Sequence, residues 1–230
     1  LAKDNLRLLT IHPPGWGDLQ SLESINTLEK FSNLLDEIFV KLDLNSFNLA
    51  GQSLGSIIAL LYASQHPEKV KRLLLLSPPF SVLGRKRGEL FKKFLEYSLQ
   101  SKTILKLNSY LHKTRFINYW ACRIGGFYKF DRKIFEELIL PSAQVCNEKI
   151  AMANTLSMLK INHLPLLAKV KSPKAIIMGG RDPVISIKKA KKISQDFPNF
   201  HLFIIPFAKH AIMLEKPKEL SKIMLDFLSS

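Results

Sequence analysis

Apolar positions along this chain fall into two periods. Short apolar runs stand at Phe47-Asn48-Leu49-Ala50, Leu73-Leu74-Leu75-Leu76 and Ala175-Ile176-Ile177-Met178, and another lies in His201-Leu202-Phe203-Ile204-Ile205. Runs of this length suit buried strands. Leu6-Arg7-Leu8-Leu9-Thr10-Ile11 is a further strand pattern near the start. Leu28, Phe31, Leu35 and Ile38 recur at helical spacing and predict one amphipathic helix. Ser56-Ile57-Ile58-Ala59-Leu60-Leu61-Tyr62-Ala63 suits a buried helix. Later, Ile187, Ala190 and Ile193 predict an inward helix face, with Lys188, Lys189, Lys191 and Lys192 forming its solvated side. Glu215-Lys216-Pro217 opens the last helix.

Composition narrows the class. A length of 230 residues is ordinary for one α/β unit and is long enough for a real core. The hydrophobic fraction of 47% argues against disorder. No unbroken apolar run reaches the length of a membrane span, so no transmembrane helix is expected. No signal peptide is visible, and the chain begins with Leu1 rather than Met. Cys122 and Cys146 carry no metal-ligand spacing and read as reduced thiols of a cytosolic protein.

The candidate chemistry sits between the strand pattern at Phe47–Ala50 and the apolar helix that follows. Gly51-Gln52-Ser53-Leu54-Gly55 reads Gly-x-Ser-x-Gly on a predicted strand-to-helix turn. A tight turn there projects the Ser53 hydroxyl out of the backbone. Glycines at Gly51 and Gly55 would let it close without Cβ clashes. The Leu54 N–H would face the place where an oxyanion forms. Five residues alone are a weak signal, and a nucleophilic serine needs a base and an orienting acid. Asp182 follows the third apolar run, in Gly179-Gly180-Arg181-Asp182-Pro183, and His210 follows the fourth, in Pro206-Phe207-Ala208-Lys209-His210. Taken singly, Asp182 reads as a turn residue before proline and His210 as a solvated loop residue. Three correct residue types, each after its own predicted strand and in the order Ser, Asp, His, outweigh those readings.

These pieces resemble the α/β-hydrolase fold family, in its esterase- and lipase-like serine branch. GQSLG looks like the nucleophile elbow, GGRDPV the acid loop and KHAIMLEKP the histidine loop; His66-Pro67-Glu68-Lys69-Val70 and the strand after it keep the family's order. The resemblance implies a mostly parallel α/β sheet flanked by helices. It also implies Ser53 as nucleophile, Asp182 as acid and His210 as base, with no metal or organic cofactor. Serine at the nucleophile position argues against dehalogenase and epoxide-hydrolase chemistry. His12-Pro13-Pro14-Gly15-Trp16-Gly17-Asp18 resembles the loop after the family's fourth strand, with His12 in the position of an aspartate. On that alignment the family's first three strands and one of its two oxyanion donors are expected to be missing from residues 1–230.

The resemblance divides the chain into a core part at 1–79, a helical lid inserted at 80–164 and a second core part at 165–230. Charge singles out the lid. The formal net charge is +15, and Arg85 to Lys133 contains thirteen basic residues against three acidic ones. Phe94, Tyr97, Tyr110, Phe116, Trp120 and Tyr128 are interleaved among them. A lid with solvated lysines and inward rings is the plain reading. An anionic membrane surface is the sharper one, and nucleic acid is not expected, since no recognition motif occurs. The expected activity is hydrolysis of a carboxylic ester or thioester with an apolar acyl group, in a cytoplasmic protein peripheral to a membrane. Carbon–carbon bond hydrolysis and acyl transfer share the triad, and a non-catalytic binding relative or inactive fragment is the alternative of a different class.

Overall fold

The structure is a computed structural model, and it describes residues 6–16, 24–80 and 85–229. Gly17 and Asp18 of the early loop lie outside the described residues, as do the side chains of Arg85, Lys86 and Arg87. Four parallel strands form one sheet in the order β1-β2-β3-β4: β1 (Phe47–Gln52), β2 (Val70–Leu76), β3 (Lys174–Gly179) and β4 (Phe200–Ile205). Helices α1 (Leu28–Lys41) and α2 (Leu54–Gln65) flank β1, and α2 connects it to β2.

Between β2 and β3 come α3 (Arg85–Gln100), α4 (Lys102–Lys113), α5 (Arg115–Ala121), α6 (Arg132–Ile134), α7 (Leu140–Gln144), α8 (Glu148–Lys160) and α9 (His163–Lys169). Two π-helical turns, Cys122–Gly126 and Phe135–Ile139, interrupt that series. The chain closes with α10 (Ile187–Asp196), α11 (Ile212–Glu215) and α12 (Pro217–Ser229). No described helix is long and apolar enough to cross a membrane. Both cysteines are buried and free of disulfides.

The unbroken apolar runs have a simple cause: both faces of the sheet are covered. Leu73, Leu75, Ile176 and Met178 pack with α1, α2 and α10 on one side. Their neighbours Leu74, Leu76, Ala175 and Ile177 pack with α11 and α12 on the other. Every β3 residue is buried. Helix α2 needs no polar side, because Ser56 through Ala63 are all buried between the sheet and its neighbouring helices. Helix α1 shows the predicted stripe with one change: Phe39, rather than Ile38, completes its buried face.

Leu6–Ile11 does not form the expected strand. A strand needs a hydrogen-bonded neighbour, and alternation of side chains alone does not supply one. A cavity of about 840 Å³ separates this segment from β1, lined by Leu6–Leu9 on one side and by the length of β1 on the other. Leu8 and Leu9 are left exposed.

The lysine face of α10 also differs from expectation at one position. Lys189 is half-buried and donates from Nζ to the Phe80 carbonyl at 2.7 Å. Burial lowers its pKa. The same carbonyl belongs to a residue whose ring lies 5.5 Å from the imidazole of His163. His163 Nε2 is buried without a hydrogen-bond partner. Burial, then the nearby Lys189 charge, push the His163 pKa down to about 4, against the Met158 backbone, which raises it.

This group is neutral in the folded chain and takes a proton more readily when unfolded. The unfolded state therefore binds more protons between its ordinary 6.5 and about 4, and stability falls as the pH drops through that window. The loss should reach roughly 3 kcal/mol by pH 4, since each tenfold difference in proton affinity between the two states is worth about 1.4 kcal/mol. A His163→Phe variant melted across pH 4 to 7 should show a flatter acid limb than the parent. Parallel curves would show that another group sets the acid sensitivity.

Candidate active site

Three loops at the carboxyl ends of parallel strands meet at Ser53. The first is the turn from β1 into α2. Ser53 has φ 51° and ψ −119°, a region that side-chain-bearing residues seldom occupy. Its backbone is pinned from both sides: Ser53 N–H donates to the Leu76 carbonyl at 2.9 Å, and Ser56 N–H donates back to the Ser53 carbonyl at 2.9 Å. Gly51 makes the turn possible, since a Cβ there would sit 2.1 Å from the Gly55 carbonyl oxygen. Gly55 differs from expectation, because a Cβ at that position meets nothing within 4 Å. The steric demand of the turn rests on Gly51 alone. Leu54 is the first residue of α2, so its N–H has no acceptor within the helix and is available at the turn.

Asp182 lies in the loop after β3, and its side chain is fully buried. Its Oδ1 accepts from Val184 N–H at 2.7 Å, and its Oδ2 faces His210 Nδ1 at 3.0 Å. Burial pulls the carboxyl pKa upward. The hydrogen bond and charge of His210, then the Val184 N–H and the nearby Ser77 hydroxyl, outweigh it and hold the pKa below the ordinary 3.8. Ser77 itself has φ 44° and reaches no hydrogen bond of full geometry.

His210 lies in the loop after β4, with Nε2 2.9 Å from Ser53 Oγ. An ionised carboxylate only accepts, so Nδ1 carries the proton toward Asp182. That leaves the Nε2 lone pair to accept from the Ser53 hydroxyl. The arrangement has a base poised on a hydroxyl and an acid that fixes its tautomer. Among the described residues no cluster of three His, Cys, Asp or Glu side chains is placed to hold a metal ion.

A family sequence model described as "alpha/beta hydrolase fold" matches residues 1–100. The esterase from Exiguobacterium antarcticum superposes with a TM-score of 0.73 at 15% identity, over 94% of this chain and 79% of its own. A thermophilic esterase from Thermogutta terrifontis gives 0.72 at 17%, over 94% and 77%. The chain has the α/β-hydrolase fold. Among its sequence relatives, the monoacylglycerol lipase abhd6-A of Xenopus laevis is 24% identical over 98% of this chain and 68% of its own length. A Bacillus subtilis protein provisionally named 2-succinyl-6-hydroxy-2,4-cyclohexadiene-1-carboxylate synthase is 25% identical over 97% and 81%.

Several residues that shape the candidate site are not legible in the sequence. Glu215 was legible only as a helix start. In the fold its Oε2 accepts from Lys209 N–H at 2.7 Å, and its Oε1 accepts from Tyr128 N–H at 2.6 Å and Lys129 N–H at 3.1 Å. One carboxylate thus ties the His210 loop to the helical insertion. Gly179 lets the loop after β4 lie against the end of β3, since a Cβ there would sit 2.3 Å from the Lys209 carbonyl oxygen. The doubled glycine was its only signal. The early loop is held by α8: Asn147 N–H donates to the Gly15 carbonyl at 2.9 Å, and Gly15 adopts φ 88° with Ile150 where a Cβ would go. Trp16 lines the cavity that ends at Ser53, while His12 is exposed.

Gly51→Ala should destabilise by about 3 kcal/mol, the upper part of the usual overpacking cost. Gly55→Ala should be neutral or stabilise by up to about 1 kcal/mol through helix propensity. Thermal melts of the two variants should move in different directions. Glu215→Ala should lose about 1–2 kcal/mol, because it strands the half-buried Lys209 N–H and leaves the exposed Tyr128 and Lys129 N–H groups to water. Glu215→Gln, which keeps an acceptor oxygen, should recover part of that loss in the same melt.

Proposed function

We propose that this chain is an esterase- or lipase-like serine hydrolase that cleaves a carboxylic ester or thioester through an acyl-enzyme. The observation that carries the reading is the unbroken path from Ser53 Oγ to His210 Nε2 at 2.9 Å and from His210 Nδ1 to Asp182 at 3.0 Å. Ser53 Oγ attacks the carbonyl carbon while its proton passes to Nε2. The Leu54 N–H donates to the oxyanion that develops. Collapse breaks the C–O or C–S bond, and the leaving group takes the proton from Nε2. Water then attacks the acyl-Ser53 ester by the same route and releases the acid. Asp182 stays ionised and stabilises the imidazolium.

An apolar acyl group suits the surroundings, since Trp16, Leu54 and Ile58 line the cavity at Ser53. The names of the lipase and esterase relatives agree with this substrate class. The synthase name of the Bacillus subtilis relative keeps a second chemistry in view: carbon–carbon bond cleavage or acyl transfer with the same triad.

A fluorophosphonate probe should label the protein at Ser53, and Ser53→Ala should abolish the label. His210→Ala should lower p-nitrophenyl ester turnover by several orders of magnitude, as residues acting as a unit do. Longer acyl chains should be preferred to acetate. Labelling that survives in Ser53→Ala would refute the assignment of the nucleophile, and labelling at Ser53 without turnover of any ester would favour the second chemistry.

A further inference from the structure

The helical insertion turns apolar side chains outward in a regular pattern. Leu90, Phe94 and Tyr97 follow one another at four and three residues along α3, which places them on one face. They are 71%, 47% and 62% exposed. Leu107, Tyr110 and Leu111 repeat the pattern on α4, and Phe116 and Trp120 on α5, with rings 6.4 Å apart. Neither α4 nor α5 contains a buried residue. Outward apolar groups collected in this way mark an interaction surface.

The charges around them indicate what the surface meets. Lys93 on α3 and Lys102 and Lys106 on α4 are exposed, and among the described residues none has a carboxylate within ion-pair distance. The two acids on α3, α4 and α5 are already engaged: Glu89 with Lys92 and Glu96 with Lys160. The cationic surplus is therefore unneutralised. A second copy of this chain would bring like charge against like. A nucleic acid would satisfy the lysines but would find nothing to use in Leu90, Leu107 and Leu111, which neither stack nor hydrogen-bond. A bilayer with anionic headgroups uses every component. Leucines enter the acyl boundary, rings sit at headgroup depth and ammonium groups reach the phosphates.

Exposed apolar side chains of the insertion also stand beside the candidate site. Ile124 is 69% and Tyr128 49% exposed, and the Tyr128 ring lies 5.7 Å from that of Phe207 in the His210 loop. Lys209 Nζ donates to the Ile124 carbonyl at 2.7 Å.

We propose that the outward face of α3, α4 and α5 seats the protein on an anionic lipid surface, with the His210 loop at the contact's edge. The inference rests on the hydrolase reading only for its biological use. Flotation of the full chain with vesicles tests it. Phosphatidylcholine vesicles containing about 30% phosphatidylserine should bind the protein far more tightly than pure phosphatidylcholine, and raising salt well above about 0.1 M should weaken binding. A Lys93→Gln/Lys102→Gln/Lys106→Gln variant should lose roughly a hundredfold in partition coefficient on the anionic vesicles, about fivefold per lysine. Leu107→Ser/Tyr110→Ser should lose binding to the anionic vesicles without a change in thermal melt. Fluorophosphonate labelling in vesicle-free buffer should be unchanged in both variants. Intact labelling with equal partition onto neutral and anionic vesicles would overturn the docking surface alone. So would a triple variant that binds like the parent, or an oligonucleotide bound more tightly than the anionic vesicles. Labelling absent from the parent would instead sink the hydrolase reading and leave the vesicle result standing.

Discussion

The close approach of α2 to the end of β1 governs the geometry of everything near Ser53. With the Gly55 carbonyl 2.1 Å from where a Gly51 side chain would begin, the turn has no room for any residue but glycine at that point. The reversal forces Ser53 to positive φ and lifts its hydroxyl off the sheet edge. The hydrogen bonds on either side of Ser53 hold the strained residue in place, and they come from β2 and α2, both deep in the core. A small, stiff and costly feature is thus imposed by the most stable part of the molecule, where strain at a functional turn is best supported.

The His210 loop has the opposite character. It has little core of its own, and its position is set from several directions by polar contacts: Glu215 through Lys209 N–H, Gly126 through Ala211 N–H, and the backbone of Arg181 through the Ala208 carbonyl. Two of these partners connect to the helical insertion. The imidazole is therefore positioned jointly by the sheet and by the inserted helices, so a displacement of the insertion would be felt at Nε2. Asp182 is steadier, being fully buried beneath the loop that carries it.

The sequence made the buried strands, the amphipathic α1, the elbow and the order of Ser53, Asp182 and His210 legible. Each depends on local pattern: run length, helical spacing, or a residue type just beyond a strand. What it hid was non-local. Leu6–Ile11 has the alternation of a strand, but strand formation is decided by whether a neighbour supplies hydrogen bonds, and that is not written in the segment itself. Lys189 sits in a run of four lysines, and nothing in the run distinguishes the one that reaches the Phe80 carbonyl. Glu215 is one acid among 19 acidic residues until the fold brings Tyr128, Lys129 and Lys209 to it. Gly55 is the reverse case: its place in the motif suggests a steric role, yet a Cβ there meets nothing within 4 Å.

The register between β2 and β3 has a consequence for how the chain is made. Leu73 pairs with Lys174, and the whole helical insertion lies between them. At synthesis speeds of about 5–20 residues per second, roughly 5–20 s separate the emergence of these two partners from the ribosome. During that interval β2 presents an apolar edge, Leu73 to Leu76, with its eventual neighbour not yet translated. Pairings this distant in sequence are slow to form even once the chain is complete. The candidate site cannot assemble before that pairing either, because Asp182 and His210 both follow β3 in the chain.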